Sequence, residues 1–393
     1  MKWTNKGHEF DDFGKKFIDD PCIYIYGAGD FGKKLYNLLQ WLNIETCFID
    51  GNRRKQLEGY LGAKVISPMD LADFPNKRKI VIAAGTTIAV EMEKTLQEYG
   101  YKKYIDFWEL SYFCEKILPI YMAYVKDKVY MNSVGFLSTT VCNLNCDGCL
   151  NFTSYNKQMR HEDIGQLKDT LDSYFSVVDY VNLFSYTGGE PLLYPQIDEL
   201  LEYIGNNFKD KIHNFLMSTN CTIVPKDSTC RIMKKYNFKI NIDDYSEYVE
   251  KSREILPEIE KKLLHYGIDY SVASGANAYW IDLAPEKTDN TGFTESQLIE
   301  YHTKCACPYH EIRNGKIYAC NYASFAMKAG LIEESNNDWI CLEKVKSKLI
   351  FLEFVLGYTE KGYVDFCKHC AGFLPINPYK KPVGKQLKQA KGE

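Results

Sequence analysis

Cys142, Cys146 and Cys149 stand together in the stretch TTVCNLNCDGCLNF, spaced CxxxCxxC. A disulfide uses two thiols, and a closed structural zinc site takes four ligands. Three thiolates on one short loop leave a fourth coordination position open, so the centre they imply can bind something besides protein. A second set lies further on. Cys305, Cys307 and Cys320 fall in KCACPYHEIRNGKIYACNYASF, and Cys367 and Cys370 in VDFCKHCAGF. A CxxC with distant cysteines suits a tetrahedral zinc ribbon, with His310 and His369 close in sequence. Near the start, GAGDFG puts Gly27, Gly29 and Gly32 in GxGxxG spacing. Such glycines let the backbone turn tightly and approach a phosphate, which a helix N-terminus then attracts. Asp50 follows Gly32 by 18 residues, near the separation at which an acid meets a ribose hydroxyl. The alternative is that these glycines serve packing in a module without a ligand.

The elements that must position these residues alternate between strand and helix. CIYIYG, TCFID and KIVIAAG read as strands, with FGKKLYNLLQWL and AVEMEKTLQEYG as helices between or after them. Strands alternating with helices imply a parallel sheet. About 115 residues make one mononucleotide-binding half, so residues 1–115 are expected to form a Rossmann-like nucleotide-binding module. Further on, VGFLSTT runs straight into the first cysteines. YVNLFSY leads into TGGEP, and HNFLMSTN, FKINIDD and IDYSVAS continue the series. The helical pattern YSEYVEKSREILPEIEKKLLHYG is broken at Pro257. Chemistry at the carboxyl ends of repeated βα units is the logic of a parallel barrel. Five or six strands predict a partial barrel over residues 116–300. Residues 301–393 form a small cysteine-rich domain whose end, PINPYKKPVGKQLKQAKGE, reads as a flexible, solvated basic tail.

Composition excludes other classes. The chain of 393 residues carries a net charge of -4, with 45% hydrophobic and 25% charged residues. That balance is globular and argues against nucleic acid or an anionic membrane as partner. The N-terminus has no apolar core of a signal peptide, and the longest apolar run is too short to span a bilayer. The expectation is a cytoplasmic protein, where 14 cysteines are metal-binding, catalytic or buried rather than paired. His161, His213 and His265 have no motif around them.

CxxxCxxC just after a strand resembles the signature of the radical S-adenosylmethionine (SAM) enzymes. TGGEP, STN and NIDD follow the next three strands in that family's order. The resemblance covers about 170 residues. It implies that Cys142, Cys146 and Cys149 hold three irons of a 4Fe–4S cluster, leaving the fourth iron for the amino and carboxylate groups of SAM. It further implies that Gly188, Gly189 and Glu190 meet the methionine end of SAM, and that Ser218, Asn220 and Asp243 contact its ribose and adenine. The reduced cluster would cleave SAM to a 5′-deoxyadenosyl radical that abstracts hydrogen from the substrate. A low-potential donor such as flavodoxin or ferredoxin is the implied electron source. Two positions depart from the family pattern. Gly148 stands where an aromatic residue is common, and Cys221 follows STN where glycine is common. A thiol there could return a hydrogen atom to a substrate radical; the alternative is an ordinary buried residue.

The later cysteines resemble the auxiliary-cluster domain of the Twitch or SPASM type. The resemblance implies a second 4Fe–4S cluster on Cys307, Cys320, Cys367 and Cys370, with Cys305 as rival for the first position and zinc as the alternative metal. YIYGAGDFGKKLYNLL and the strands after it resemble the nucleotide-binding module of sugar-modifying proteins in surface-glycan pathways. A nucleotide-sugar is the first expected ligand there and NAD the second. Together these imply an oxidoreductase or isomerase acting by radical chemistry on a sugar nucleotide or glycan precursor. The alternatives are a radical SAM peptide maturase and a non-catalytic iron–sulfur redox sensor.

Overall fold

The computed structural model describes residues 1–284, 288–307 and 309–387. The chain divides into two compact units, Phe10–Asn132 and Met1–Glu9 with Ser133–Glu393.

The smaller unit is built on five short strands: β1 (Ile23–Tyr26), β2 (Thr46–Ile49), β3 (Val65–Ile66), β4 (Lys79–Ile82) and β5 (Phe107–Glu109). They pair in parallel in the order β3-β2-β1-β4-β5. Both faces of such a sheet are covered, so its strands read as unbroken apolar runs. Ile23, Ile25, Phe48, Ile49, Ile80 and Val81 are accordingly buried. Helix Asp30–Trp41 buries Leu35, Leu38 and Leu39 at helical spacing. The boundary expected near residue 115 falls at 132 instead. Helix Leu118–Val125 carries Tyr121, whose ring meets Phe17 edge-on at 5.5 Å and whose hydroxyl donates to Pro21 O at 2.8 Å. That burial ties the segment to the smaller unit.

The larger unit contains β6 (Tyr130–Leu137, which begins in the smaller unit), β7 (Tyr180–Thr187), β8 (Ile212–Thr219), β9 (Lys239–Asp244), β10 (Tyr270–Ser274), β11 (Tyr279–Ile281), β12 (His310–Arg313), β13 (Lys316–Tyr318), β14 (Trp339–Cys341) and β15 (Lys380–Pro382). One sheet runs β10-β9-β8-β7-β6-β12-β13-β14, and β11 pairs with β15. The pairs β7/β8, β8/β9, β9/β10 and β6/β12 are parallel. Helices Ile164–Val177, Ile197–Phe208, Asp227–Tyr236 and Glu250–Tyr266 connect β6 through β10. The last is continuous through Pro257, which gives up one backbone hydrogen bond without ending it.

Two features differ from the sequence-based expectation. The region from residue 301 joins the same sheet through β12 beside β6, so it does not separate as a compact domain. Over its described residues the basic tail is held to the unit: β15 pairs with β11, and Leu387 N donates to Asn145 O at 2.8 Å. Its residues 388–393 lie outside the described residues. The first nine residues also belong to this unit. Trp3 Nε1 and the amides of Gly7 and Glu9 all donate to the buried carboxylate of Glu353, at 2.7, 2.7 and 2.9 Å.

Candidate active site

A cavity of about 250 Å³ opens at the carboxyl ends of β6 to β9. Cys142, Cys146 and Cys149 line it together with Gly188, Gly189, Ser218, Asn220 and Asp243. The cysteine loop has little regular structure, and its neighbours hold it. The amides of Gly189 and Glu190 donate to Thr139 O and Val141 O, both at 2.9 Å. A Cβ at Gly189 would sit 2.2 Å from Val141 O. The glycine therefore admits the cysteine loop itself, an approach the sequence reading assigned to SAM. Asn220 Nδ2 donates to Asn143 Oδ1 at 3.0 Å and lies 3.6 Å from Cys142 Sγ.

These residues fit an iron–sulfur cluster. Three thiols share one wall of the cavity, and no fourth cysteine lines it among the described residues. Burial pushes the Cys142 thiol up to about 11 and that of Cys146 to about 12. As bare thiols Cys142 and Cys146 would stay protonated at neutral pH, so holding these two as thiolates calls for the positive charge of bound metal. Among the described residues no three His, Cys, Asp or Glu side chains gather as ligands of a single ion.

Glu190 does not line the cavity. It is fully buried behind it and accepts from Thr219 Oγ1 at 2.9 Å, Asn220 N at 2.8 Å and Leu192 N at 3.0 Å. Burial raises its carboxyl to about 7 against the pull of those donors. It thus fastens the end of β8 to the loop after β7. Asp243 accepts from Asn241 Nδ2 at 2.8 Å, and burial raises it to about 6. Cys221 departs from the hydrogen-donor expectation. It is fully buried, and its thiol donates to Ser252 O at 3.7 Å, toward the core rather than the cavity. Its φ of 59° lies in the left-handed region that glycine takes without strain. Sequence reasoning missed Tyr245 and Trp280, which line the cavity, and Asn151, whose Nδ2 donates to Gly188 O at 2.5 Å. Only the position of Asn151, two residues past Cys149, offered a signal.

The second cysteine set also converges. Cys307 Sγ lies 3.4 Å from Cys320 Sγ, and Cys320, Cys367 and Cys370 are buried in one apolar cluster. Burial raises the thiols of Cys367 and Cys370, with smaller contributions from the other cysteines, Cys320 and Cys305 among them. Asn290 Nδ2 donates to Cys367 O and Cys370 O, and Gly372 N to Cys370 Sγ at 3.3 Å. His310 points elsewhere, with its ring nitrogens on Tyr318 O and Val355 O. Cys341 lies on β14 opposite Lys316.

In the smaller unit Gly27 and Gly29 lie in the turn from β1 into helix Asp30–Trp41, and Gly32 lies in the first turn of that helix. A Cβ at Gly32 would lie 1.9 Å from Gly27 O, so that glycine serves helix-to-turn packing. Asp50 accepts from Ala28 N at 2.8 Å, and Lys55 Nζ donates to Ala28 O at 2.6 Å. The acid expected at a ribose is engaged by the glycine turn itself.

Among known proteins, the model of the Radical SAM superfamily matches residues 136–265. Solved structures resemble parts of the chain. BtrN in complex with AdoMet and 2-DOIA has 15% identity and a TM-score of 0.37, over 65% of this chain and 98% of that one. Native anSMEcpe with bound AdoMet and Kp18Cys peptide has 11% identity and a TM-score of 0.40, over 65% and 93%. Streptococcus suis SuiB bound to precursor peptide SuiA has 19% identity and a TM-score of 0.25, over 48% and 53%. No curated protein matches the chain. Among the described residues no helix is long and apolar enough to cross a membrane.

Proposed function

We propose, on the premise that residues 136–265 form a radical SAM domain, that the chain is an enzyme modifying a sugar nucleotide or glycan precursor by hydrogen abstraction. The observation that carries the reading is the wall of three cysteines facing one cavity with Gly188, Ser218, Asn220 and Asp243. Bound there, a 4Fe–4S cluster with SAM supplies a 5′-deoxyadenosyl radical that takes a hydrogen atom from the substrate. Cys142, Cys146 and Cys149 are the ligands. The backbone at Gly188 faces the methionine end, and Ser218, Asn220 and Asp243 offer hydrogen-bond partners to ribose and adenine. Glu190 acts through the loop it fastens.

The rest of the lining supports the substrate class. Trp280, Tyr245 and Tyr322 line the cavity together with Asn151 and Asn321. Aromatic faces next to neutral polar groups suit a hydroxyl-rich ring with C–H faces. Asn321 and Tyr322 directly follow Cys320, so a substrate held there lies beside the second cysteine set. We assign that set, Cys307 or Cys305 with Cys320, Cys367 and Cys370, to a second 4Fe–4S cluster able to exchange an electron with the substrate. The smaller unit is assigned to nucleotide binding, in which a phosphate competes with Asp50 for Ala28 N.

Anaerobic reconstitution with iron, sulfide, reductant and SAM tests this. 5′-Deoxyadenosine should form, rise with one member of a nucleotide-sugar panel, and vanish in Cys149→Ala. Turnover retained in Cys149→Ala would remove the loop from the chemistry.

A further inference from the structure

The C-terminal segment lies across the cysteine loop as a second strand. β15 pairs antiparallel with β11, matching Trp280 to Lys381. Beyond it Asp147 N donates to Lys385 O at 2.7 Å, and Leu387 N to Asn145 O at 2.8 Å. Lys381 Nζ pairs with Asp147 at 3.0 Å. Gly148, at a φ of 74°, leaves no room for a Cβ, which would meet Lys381 Cγ at 2.6 Å.

Within this contact one side chain reaches a cysteine. Gln386 Oε1 accepts from Asn145 N at 2.7 Å. An amide nitrogen of the backbone can only donate, so this bond fixes which end of the side-chain amide is oxygen. Nε2 is thereby turned toward Cys146, 3.1 Å from Sγ, and also donates to Gly384 O at 2.7 Å. The neighbouring loop positions are held by main-chain bonds, so a sequence-independent fastening needs no donor aimed at a sulfur.

We propose that Gln386 is a positioning residue that sets the reduction potential of the cluster held by Cys142, Cys146 and Cys149. The proposal rests on that cluster assignment. Reduction adds one negative charge to the cluster, and hydrogen bonds to its sulfurs are one of the terms that set its potential. A donor on Cys146 Sγ stabilises the reduced state more than the oxidised one. Residues 380–387 simultaneously cover the loop from water. The two roles have opposite signs. Losing the donor makes the potential more negative, whereas exposing the cluster to water favours the more highly charged reduced state and makes it more positive.

The test is a redox titration of the reconstituted full chain, followed by the electron-paramagnetic signal that changes on adding SAM, which reports the cluster at Cys146. With Gln386→Leu, and with Gln386→Met as a second variant of similar length, iron content should stay at the wild-type level. At a fixed ambient potential the reduced-to-oxidised ratio should fall about tenfold, the size of a lost hydrogen bond to a charged group. Gln386→Glu should lower it further. Lys381→Ala, which loosens the cover, should move the potential the other way and hasten bleaching in air. A potential that is unchanged or more positive in both neutral Gln386 variants, with iron retained, overturns the proposal. A wild-type chain with no SAM-responsive signal overturns the cluster assignment as well.

Discussion

Gly189→Ala separates two reasons for a glycine at this position. The added Cβ would lie 2.2 Å from Val141 O, 2.5 Å from Val141 C and 2.7 Å from Thr140 O. These are backbone atoms, which cannot rotate aside, so the segment entering Cys142 must move by about 1 Å to regain ordinary contact. Overpacking of this kind costs about 1–3 kcal/mol, and the rigidity of the partners places it near the upper end. For a unit of this size that is a fall in Tm of roughly 5 °C. Circular dichroism of the metal-free chain measures it, with Gly292→Ala as control, since a Cβ there meets nothing within 4 Å. The displacement should also lower iron uptake at the loop. A variant that melts with the wild type and loses only SAM affinity would refute the reasoning. The glycine would then be making room for ligand instead of backbone.

Gly27→Ala should destabilise the smaller unit, because φ is 113° and the Cβ would meet Ala83 O at 2.7 Å; limited proteolysis should cut within residues 10–132 first. Asp338 is buried, and desolvation raises its carboxyl to about 7 from 3.8. Its folded form binds the proton more tightly, so its stabilisation is full below about pH 4 and lost as pH rises through about 7. Asp338→Asn should flatten that part of the stability profile, measured by urea unfolding between pH 4 and 8. Iron analysis should give about eight irons per reconstituted chain and about four in Cys370→Ser, which should keep reductive SAM cleavage; about four irons and one zinc in the wild type would assign the second site to zinc.

The parts legible in the sequence are those where one residue type has one use. Cysteine spacing placed Cys142, Cys146 and Cys149 on a loop after a strand, and the order of TGGEP, STN and NIDD placed Gly188, Ser218 and Asp243 on the same cavity. Strands with unbroken apolar runs, such as KIVI, were equally readable. Side-chain direction was not. Glu190 and Cys221 stand next to cavity residues in sequence, yet both turn into the core, because the backbone after a strand end no longer alternates with a fixed period. The unit boundary was hidden because it depends on what helix Leu118–Val125 packs against, a long-range choice that local composition does not encode. The tail misled for a related reason. Lysines and prolines describe a solvated strand edge as well as a free end, and only the pairing of β15 with β11 distinguishes them.

The cysteine loop receives its shape from elsewhere in the chain. Its backbone amides and carbonyls meet the loop after β7 on one side and the C-terminal segment on another, while Asn220 at the end of β8 reaches Asn143 and Cys142. Within the loop, Cys149 N reaches Cys146 O at 3.4 Å, a long bond that would not hold three thiols in register alone. A site whose ligands stand on an irregular segment needs such outside support, because a ligand displaced by 1 Å binds weakly or in the wrong geometry. The supports come from residues 189–190, 220 and 385–387, three separate parts of the chain that the sheet from β6 to β9 and the pairing of β15 with β11 bring to one place. The placement of the three cysteines therefore depends on all three supports, and perturbing the support at Asn220 should lower the iron bound by the reconstituted chain.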